Sequence, residues 1–134
     1  MAKILIVEDN ALNVKLFCDL LAAHGHEPRP VSDGRFALEH ARDFGPDLVI
    51  TDIQLPNVTG LDLIRLIRED KTLKDVPIMA VTAYAAAADE ERIRAAGAQA
   101  YVSKPISVAK FVAQVNELLG IEKAGERAPA PEAI

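Results

Sequence analysis

The stretch Pro46-Asp47-Leu48-Val49-Ile50-Thr51-Asp52-Ile53-Gln54-Leu55-Pro56 decides the fold. Leu48 to Thr51 are apolar or β-branched without alternation, the pattern of a central strand in a parallel sheet covered on both faces by helices. Pro56 and Gly60 end the run soon after. Ligands of open parallel sheets gather outside the carboxyl ends of the strands, so Asp52, in the last strand position, is placed for chemistry. A single strand-ending aspartate is also an ordinary turn former or helix cap. The neighbouring strands therefore decide what Asp52 means.

Upstream, Lys3-Ile4-Leu5-Ile6-Val7 reads as a buried strand that runs into the acidic turn Glu8-Asp9-Asn10, with Asn10 able to cap the next helix. Leu12, Leu16, Leu20 and Ala23, flanked by Phe17 and Leu21, recur at helical spacing up to the stop at Gly25. Glu27-Pro28-Arg29-Pro30-Val31 is a poor strand, because two prolines remove two ladder donors, and is expected at a sheet edge. Ser32-Asp33-Gly34 opens a second helix with Ala37, Leu38 and Ala41 on its apolar face, through about Phe44.

Downstream, Thr59 is a cap for a helix with Leu63, Ile64 and Ile67 inward, and residues 70–75 form a polar connection. A fourth apolar strand over 76–82 ends in Thr82. The helix expected over 85–96 is rich in alanine, with Ile93 as its one large apolar residue and Gly97 as its stop. A segment that buries so little opens at low free-energy cost, so it is the element expected to move in a switch. Residues 99–102 make a short fifth strand, Ser103-Lys104-Pro105 turns out of it, and Ser107 caps a last helix striped by Val108, Phe111, Val112, Val115, Leu118 and Leu119. Residues 1–120 form the expected domain; 121–134, rich in Ala, Glu and Pro, read as a disordered tail. Alternating strands and helices make five βα units, an α/β domain with right-handed crossovers.

Composition narrows the function classes. The 134 residues suffice for one core, and half of them are hydrophobic while only 4% are aromatic. With a formal charge of -5 and no clustered Lys and Arg, neither a phosphate-tracking groove nor base-stacking platforms are available for nucleic acid. Cys18 is the only cysteine and lies among apolar neighbours, which predicts a packed thiol in a reducing cytosol. The amino-terminal stretch reads as a strand rather than an export signal, and no run reaches the ~20 apolar residues of a membrane span. His24, His26 and His40 lack metal-ligand spacing and read as surface residues.

Set side by side, the strand ends carry Glu8 and Asp9, Asp52, Thr82, then Ser103 and Lys104. Three carboxylates within reach of one another repel and call for a cation, for which magnesium, a hard ion that leaves positions for phosphate oxygens, is suited. Asp52 then becomes the nucleophile toward phosphorus, Lys104 stabilises charge on the equatorial oxygens, and Thr82 donates its hydroxyl to another.

Val7-Glu8-Asp9-Asn10, Asp52 followed by Pro56 and Gly60, Val81-Thr82-Ala83, and Tyr101-Val102-Ser103-Lys104-Pro105 together resemble the receiver domains of two-component response regulators, over Lys3 to Leu119. That resemblance implies a doubly wound (βα)5 CheY-like, flavodoxin-like fold with a parallel five-stranded sheet in order 2-1-3-4-5. It implies phosphorylation at Asp52, magnesium held by Glu8, Asp9, Asp52 and the backbone carbonyl of Gln54, and phosphate sensing by Thr82 and Lys104. It also implies a switch made by Thr82 and Tyr101, a cis Lys104-Pro105 bond, and no conventional enzyme activity beyond magnesium-dependent self-phosphorylation and self-dephosphorylation. Within the family, Asp52-Ile53-Gln54-Leu55-Pro56, Asp89-Glu90-Glu91-Arg92-Ile93-Arg94 and Ser103-Lys104-Pro105-Ile106-Ser107 are similar to single-domain regulators of bacterial cell cycle and polarity. The implied partners are a histidine kinase or phosphotransfer protein, docking around Ala11, Lys15 and the Pro105-Ile106 loop, and a downstream kinase or pseudokinase at a face including Tyr84, Tyr101 and the fifth helix. The implied setting is the cytoplasm, with recruitment to a cell pole by partner kinases, as a monomer or weak phosphorylation-dependent dimer without membrane insertion.

Other classes fit less well. A phosphohydrolase of the haloacid dehalogenase type would carry a second carboxylate two residues after its nucleophile, where this chain has Gln54, and no Gly-rich loop ending in Lys and Ser or Thr is present for a P-loop hydrolase. A pseudo-receiver would be expected to lose one of the acids, Thr82 or Lys104. A receiver serving another pathway, or acting as a phosphorelay intermediate, remains an open alternative.

Overall fold

The computed structural model describes residues 2–83 and 87–120. Five parallel strands, β1 (Lys3–Val7), β2 (Glu27–Val31), β3 (Leu48–Asp52), β4 (Ile78–Thr82) and β5 (Ala100–Ser103), lie in the order 2-1-3-4-5. Between and after them come α1 (Ala11–Ala23), α2 (Ala37–Phe44), α3 (Gly60–Glu69), α4 (Ala87–Ala96) and α5 (Val108–Leu118). Every residue of β3 and β4 is buried, which is why neither strand alternates in hydropathy. Leu5, Val7, Val49, Ile78 and Ala80 face a core closed by α2, α3 and α4. Ile4, Ile6, Leu48, Ile50, Met79 and Val81 face the opposite core, under α1 and α5. On that side the Phe17 and Phe111 rings stack at 5.1 Å, tying the first helix to the last.

Helix starts are set by side-chain caps. Asn10 accepts from the Asn13 N–H, Thr59 from Asp62 and Ser107 from Lys110, each satisfying a donor at the head of its helix and contributing about 1 kcal/mol. The second helix differs from the expectation. Asp33 caps a single 3-10 turn, Gly34–Phe36, and the α-helix begins only at Ala37. The fourth strand starts at Ile78 rather than 76, since Pro77 has no N–H to pair and contributes its carbonyl to the Val49 N–H. β5 runs one residue later than expected because Gln99 precedes the ladder. In the stretch read as a polar connection, Leu73 is buried and anchors the turn.

The buried face of α1 belongs to Phe17 and Leu21, while Leu12 is 80% exposed and Leu16 also faces solvent. Phe17 wins because it reaches the Phe111 ring across the core. Val108, the first residue of the α5 stripe, is also exposed, and Phe111 and Val115 carry that helix's burial. β2 lies at the sheet edge as expected, but its prolines do not break the ladder. Glu27 donates to Ala2 and Val31 accepts from Glu8, so alternate residues 27, 29 and 31 face β1, and Pro28 and Pro30 turn their missing donors outward.

His26 is a correction: it is buried, not a surface residue, and its Nδ1 accepts a hydrogen bond of 3.2 Å from the Ala2 N–H. His24 and His40 are exposed as expected. Burial, then the positive charge of the chain's amino end, pushes the His26 imidazole below its ordinary 6.5. Neutral His26 thus belongs to the folded state, and the unfolded chain binds the proton more readily. The stabilisation is complete above about pH 6.5 and is lost as pH falls through the lower, folded value. His26→Asn keeps an acceptor near Nδ1 without a titrating ring, so its urea midpoint is expected to vary less than the wild-type midpoint between about pH 7 and pH 5. Parallel losses in both proteins would rule out the imidazole as the source.

The first residue of α3 is constrained by the end of β3. A Cβ on Gly60 would stand 2.2 Å from the Asp52 carbonyl oxygen and 2.6 Å from Ile53 Cα, both backbone atoms. Gly60→Ala is therefore expected to lower stability by about 1–3 kcal/mol in chemical denaturation and to shift the Asp52 to Gln54 amide resonances. An unchanged denaturation midpoint would show that the loop yields freely.

Candidate functional site

The sheet order brings the carboxyl ends of β1, β3, β4 and β5 together, and with them most of the residues singled out by sequence. Carboxylate oxygens of Glu8, Asp9 and Asp52 all lie within 4.8 Å of one another. Asp52 ends β3 at 5% exposure and Glu8 follows β1 at 1%, whereas Asp9 is open to solvent. The two oxygens of Asp52 have separate partners: Oδ1 accepts from the Gln54 backbone N–H at 3.1 Å, and Oδ2 from Lys104 Nζ at 3.1 Å.

Lys104 reaches this cluster from the turn after β5. Its backbone N–H donates to the Thr82 carbonyl at 2.7 Å, which holds the turn against the end of β4. Its ammonium also forms an ion pair with Glu8 Oε1 at 3.3 Å. Burial works against the charged lysine, but the hydrogen bond to Asp52 and the charges of Asp52 and Glu8 outweigh it and raise its pKa. Burial raises the Glu8 pKa as well, opposed by the Asn10 N–H that donates to Oε2 at 3.1 Å, and the Asp52 charge adds to the rise. The two buried carboxylates of the cluster thus share one ammonium, with Asp9 beside them.

This arrangement fits a hard cation. Its donors are all oxygen, and Glu8 Oε1 is buried and lacks a hydrogen-bond partner among the described residues, even with the Lys104 charge nearby. A carboxylate oxygen buried in this way has little to gain except a metal or a closer ammonium.

Thr82 is fully buried at the end of β4, beside Ser103 of β5 in the ladder. Tyr101 is half-buried against the core beneath α2, α3 and α4. Gln54 is exposed on the loop after β3. The Lys104-Pro105 peptide bond is cis. Tyr84 and the expected tail, 121–134, lie outside the described residues.

Two features went unread in the sequence. Gly60 appeared there as a breaker and as part of the motif after Asp52, although a glycine at the first position of a well-capped helix already signals that another backbone passes close by. The second is the exposed apolar pair Leu12 and Leu16. With Asn13, Phe17, Pro105 and Ile106, Leu16 lines a groove of about 450 Å³ that reaches Lys104.

Known proteins share this design. The chain is 49% identical over 117 residues to the polar-differentiation response regulator DivK of Brucella ovis, covering 87% of this chain and 95% of that protein. The chemotaxis protein CheY4 of Vibrio cholerae superposes with a TM-score of 0.84 at 26% identity, covering 88% of this chain and 98% of that one. The receiver domain of the sensor histidine kinase PA1611 from Pseudomonas aeruginosa, with a magnesium ion coordinated in its active-site cleft, superposes at 0.82 with 32% identity, covering 89% and 98%. The response regulator receiver domain family model matches residues 4–116. With strand order, acid cluster and sequence likeness in agreement, the chain belongs to the response regulator receiver domain family of two-component signalling.

Proposed function

We propose that Asp52 accepts a phosphoryl group from the phosphohistidine of a histidine kinase or phosphotransfer protein, and that the phosphorylated domain signals through protein contacts. The observation that carries this reading is the buried strand-end carboxylate held 3.1 Å from Lys104 Nζ inside a cluster of three acids. In the transfer an Asp52 oxygen bonds to phosphorus as the P–N bond breaks, and the imidazole leaves with the bonding pair. Lys104 offers its ammonium to the equatorial oxygens and Thr82 its hydroxyl. Glu8, Asp9, Asp52 and the Gln54 carbonyl would hold magnesium, which when bound neutralises charge on the phosphoryl oxygens. The magnesium named for the Pseudomonas receiver supports that choice of ion. Attack of water on the aspartyl phosphate releases inorganic phosphate and restores Asp52, so the chemistry is the domain's own phosphorylation and dephosphorylation.

The likeness to DivK, named for polar differentiation, supports a role in cell-cycle and polarity control in the cytoplasm, with a downstream kinase or pseudokinase as target and a cell pole as the place of recruitment. No described helix is long and apolar enough to cross a membrane. The domain acts in this reading as a monomer or weak phosphorylation-dependent dimer. Residues 1–120 serve as the receiver in this reading.

Magnesium and beryllofluoride together are expected to shift the Thr82 and Tyr101 amide resonances in the wild type and to leave Asp52→Asn unchanged. Chelation of magnesium should reverse the shifts. An equal response in Asp52→Asn, or none in the wild type, would replace this reading with partner binding independent of phosphorylation.

The donor is expected to dock on the exposed side of α1, around Ala11, Leu12, Lys15 and Leu16, against the Pro105-Ile106 loop. Leu12 makes little contact within the fold at 80% exposure. Leu12→Ala should therefore leave the denaturation midpoint in place and slow phosphotransfer from the cognate kinase about tenfold, as for an interface side chain contributing ~1.4 kcal/mol. Unchanged transfer kinetics would exclude this docking face.

A further inference from the structure

Among its described side chains, α4 buries only Ile93 and Ala96. An element with so little apolar contact is held by whatever polar bonds fix its ends. At its carboxyl end those bonds converge on one side chain of α3. Arg68 Nε and Nη2 both donate to the Gly97 carbonyl, at 3.0 and 2.8 Å. Nη1 donates to the carbonyls of Lys74 and Val76, at 2.9 and 2.7 Å, and Nη2 also donates to Gln99 Oε1 at 2.8 Å. All five N–H donors of the guanidinium are thereby used. They join α3, the loop before β4, the end of α4 and the residue leading into β5.

Gln99 extends the tie. Its Oε1 also accepts from the Ile78 N–H at 2.8 Å, its N–H donates to the Ile78 carbonyl at 3.0 Å, and its carbonyl accepts from Arg94 Nη1 at 2.8 Å. Gly97 sits at φ +127°, and a Cβ there would stand 2.7 Å from Arg68 Cγ, so the two residues are fitted to each other. A cation placed just beyond α4 also suits the negative end of the helix dipole. The opposite end of α4 has no comparable clamp among the described residues: Glu90 pairs with Arg94 of the same helix, at 3.0 Å.

We propose that Arg68 is a positioning residue for the switch, pinning the Gly97–Gln99 turn so that α4 answers phosphorylation by pivoting about its carboxyl end. The proposal rests on the reading of Asp52 as phosphoacceptor. Contacts equal in two states do not shift the balance between them, but they decide which part of an element stays still. Thr82, at the phosphorylation site, lies toward the amino end of α4, and the pinned end is at the far edge of the sheet.

The test compares amide resonances with and without magnesium and beryllofluoride, and hydrogen exchange without either, in wild type, Arg68→Met, Arg68→Lys and the control Arg42→Met. The exposed Arg42 pairs with Asp70 at 2.6 Å and, among the described residues, shares no hydrogen bond with the Arg68 acceptors. In the wild type, shifts at Gly97, Gln99 and Ile78 are expected to be at least about fivefold smaller than at Thr82. In Arg68→Met the responsive region should extend into Gly97 and Gln99, and exchange of the 96–98 amides should rise about tenfold or more. Arg68→Lys, with three donors on one point, should fall between, and Arg42→Met should match the wild type. Shifts at Gly97 and Gln99 as large as at Thr82 in the wild type would overturn the pivot alone, as would an unchanged boundary in Arg68→Met. Absence of any Thr82 response would overturn the phosphorylation reading and the pivot with it, while exchange in Arg68→Met still shows whether the guanidinium anchors the turn.

Discussion

Like charge gathered at one edge of the sheet is the constraint on which the rest of the structure depends. Glu8, Asp9 and Asp52 come from the ends of two adjacent strands, and Glu8 and Asp52 share the ammonium of Lys104. Separated, each would be hydrated at little cost; here burial, and then the charge of Asp52, raises the cost of charging Glu8. The fold supplies what holds them there: two apolar cores on either side of β3, a capped start for each neighbouring helix, and a glycine where the following helix presses on the Asp52 carbonyl. An arrangement that leaves a buried carboxylate oxygen without a hydrogen bond works against stability. Such groups persist where charge is brought in from outside, as it would be by a cation and a phosphoryl group.

Stability is distributed unevenly around that edge. β3 and β4 are buried along their whole length, and the aromatic stack of Phe17 on Phe111 locks α1 to α5. α4 lies on the other face with two buried side chains among those described and a polar clamp at one end. A domain that must change shape without unfolding draws its moving parts from the weakly held end of this range. The acids, Thr82 and Lys104 lie at or just beyond the ends of the strands, between the fully buried centre of the sheet and this weakly held helix.

The strands were legible because burial on both faces leaves an unbroken apolar run, as in Leu48 to Thr51, and caps were legible because Asn10, Thr59 and Ser107 act on backbone donors three residues away. The sheet order came from likeness to a family rather than from periodicity, since no local pattern says which strand lies beside which. The inward face of α1 was not legible. Leu12, Leu16 and Leu20 form one stripe and Phe17 and Leu21 another, offset by one residue, and only the distant Phe111 ring decides between them. His26 and Arg68 were hidden for the same reason. Their partners are the Ala2 N–H, 24 residues away, and the Gly97 carbonyl, 29 residues away, and neither pairing leaves a local trace in sequence. The acids and the lysine were readable because strand ends in an open parallel sheet converge whatever the details of packing.

The two prolines of β2 bear on how copies of this domain meet one another. An edge strand normally offers a row of backbone donors and acceptors to any extended chain, and so templates aggregation. Here the outward positions at 28 and 30 offer carbonyls without N–H groups, so a strand laid along that side would find half of its hydrogen bonds missing. Crowded together, neighbouring molecules are thus discouraged from fusing their sheets along β2, and recognition on that flank is left to side chains, which can be tuned and released.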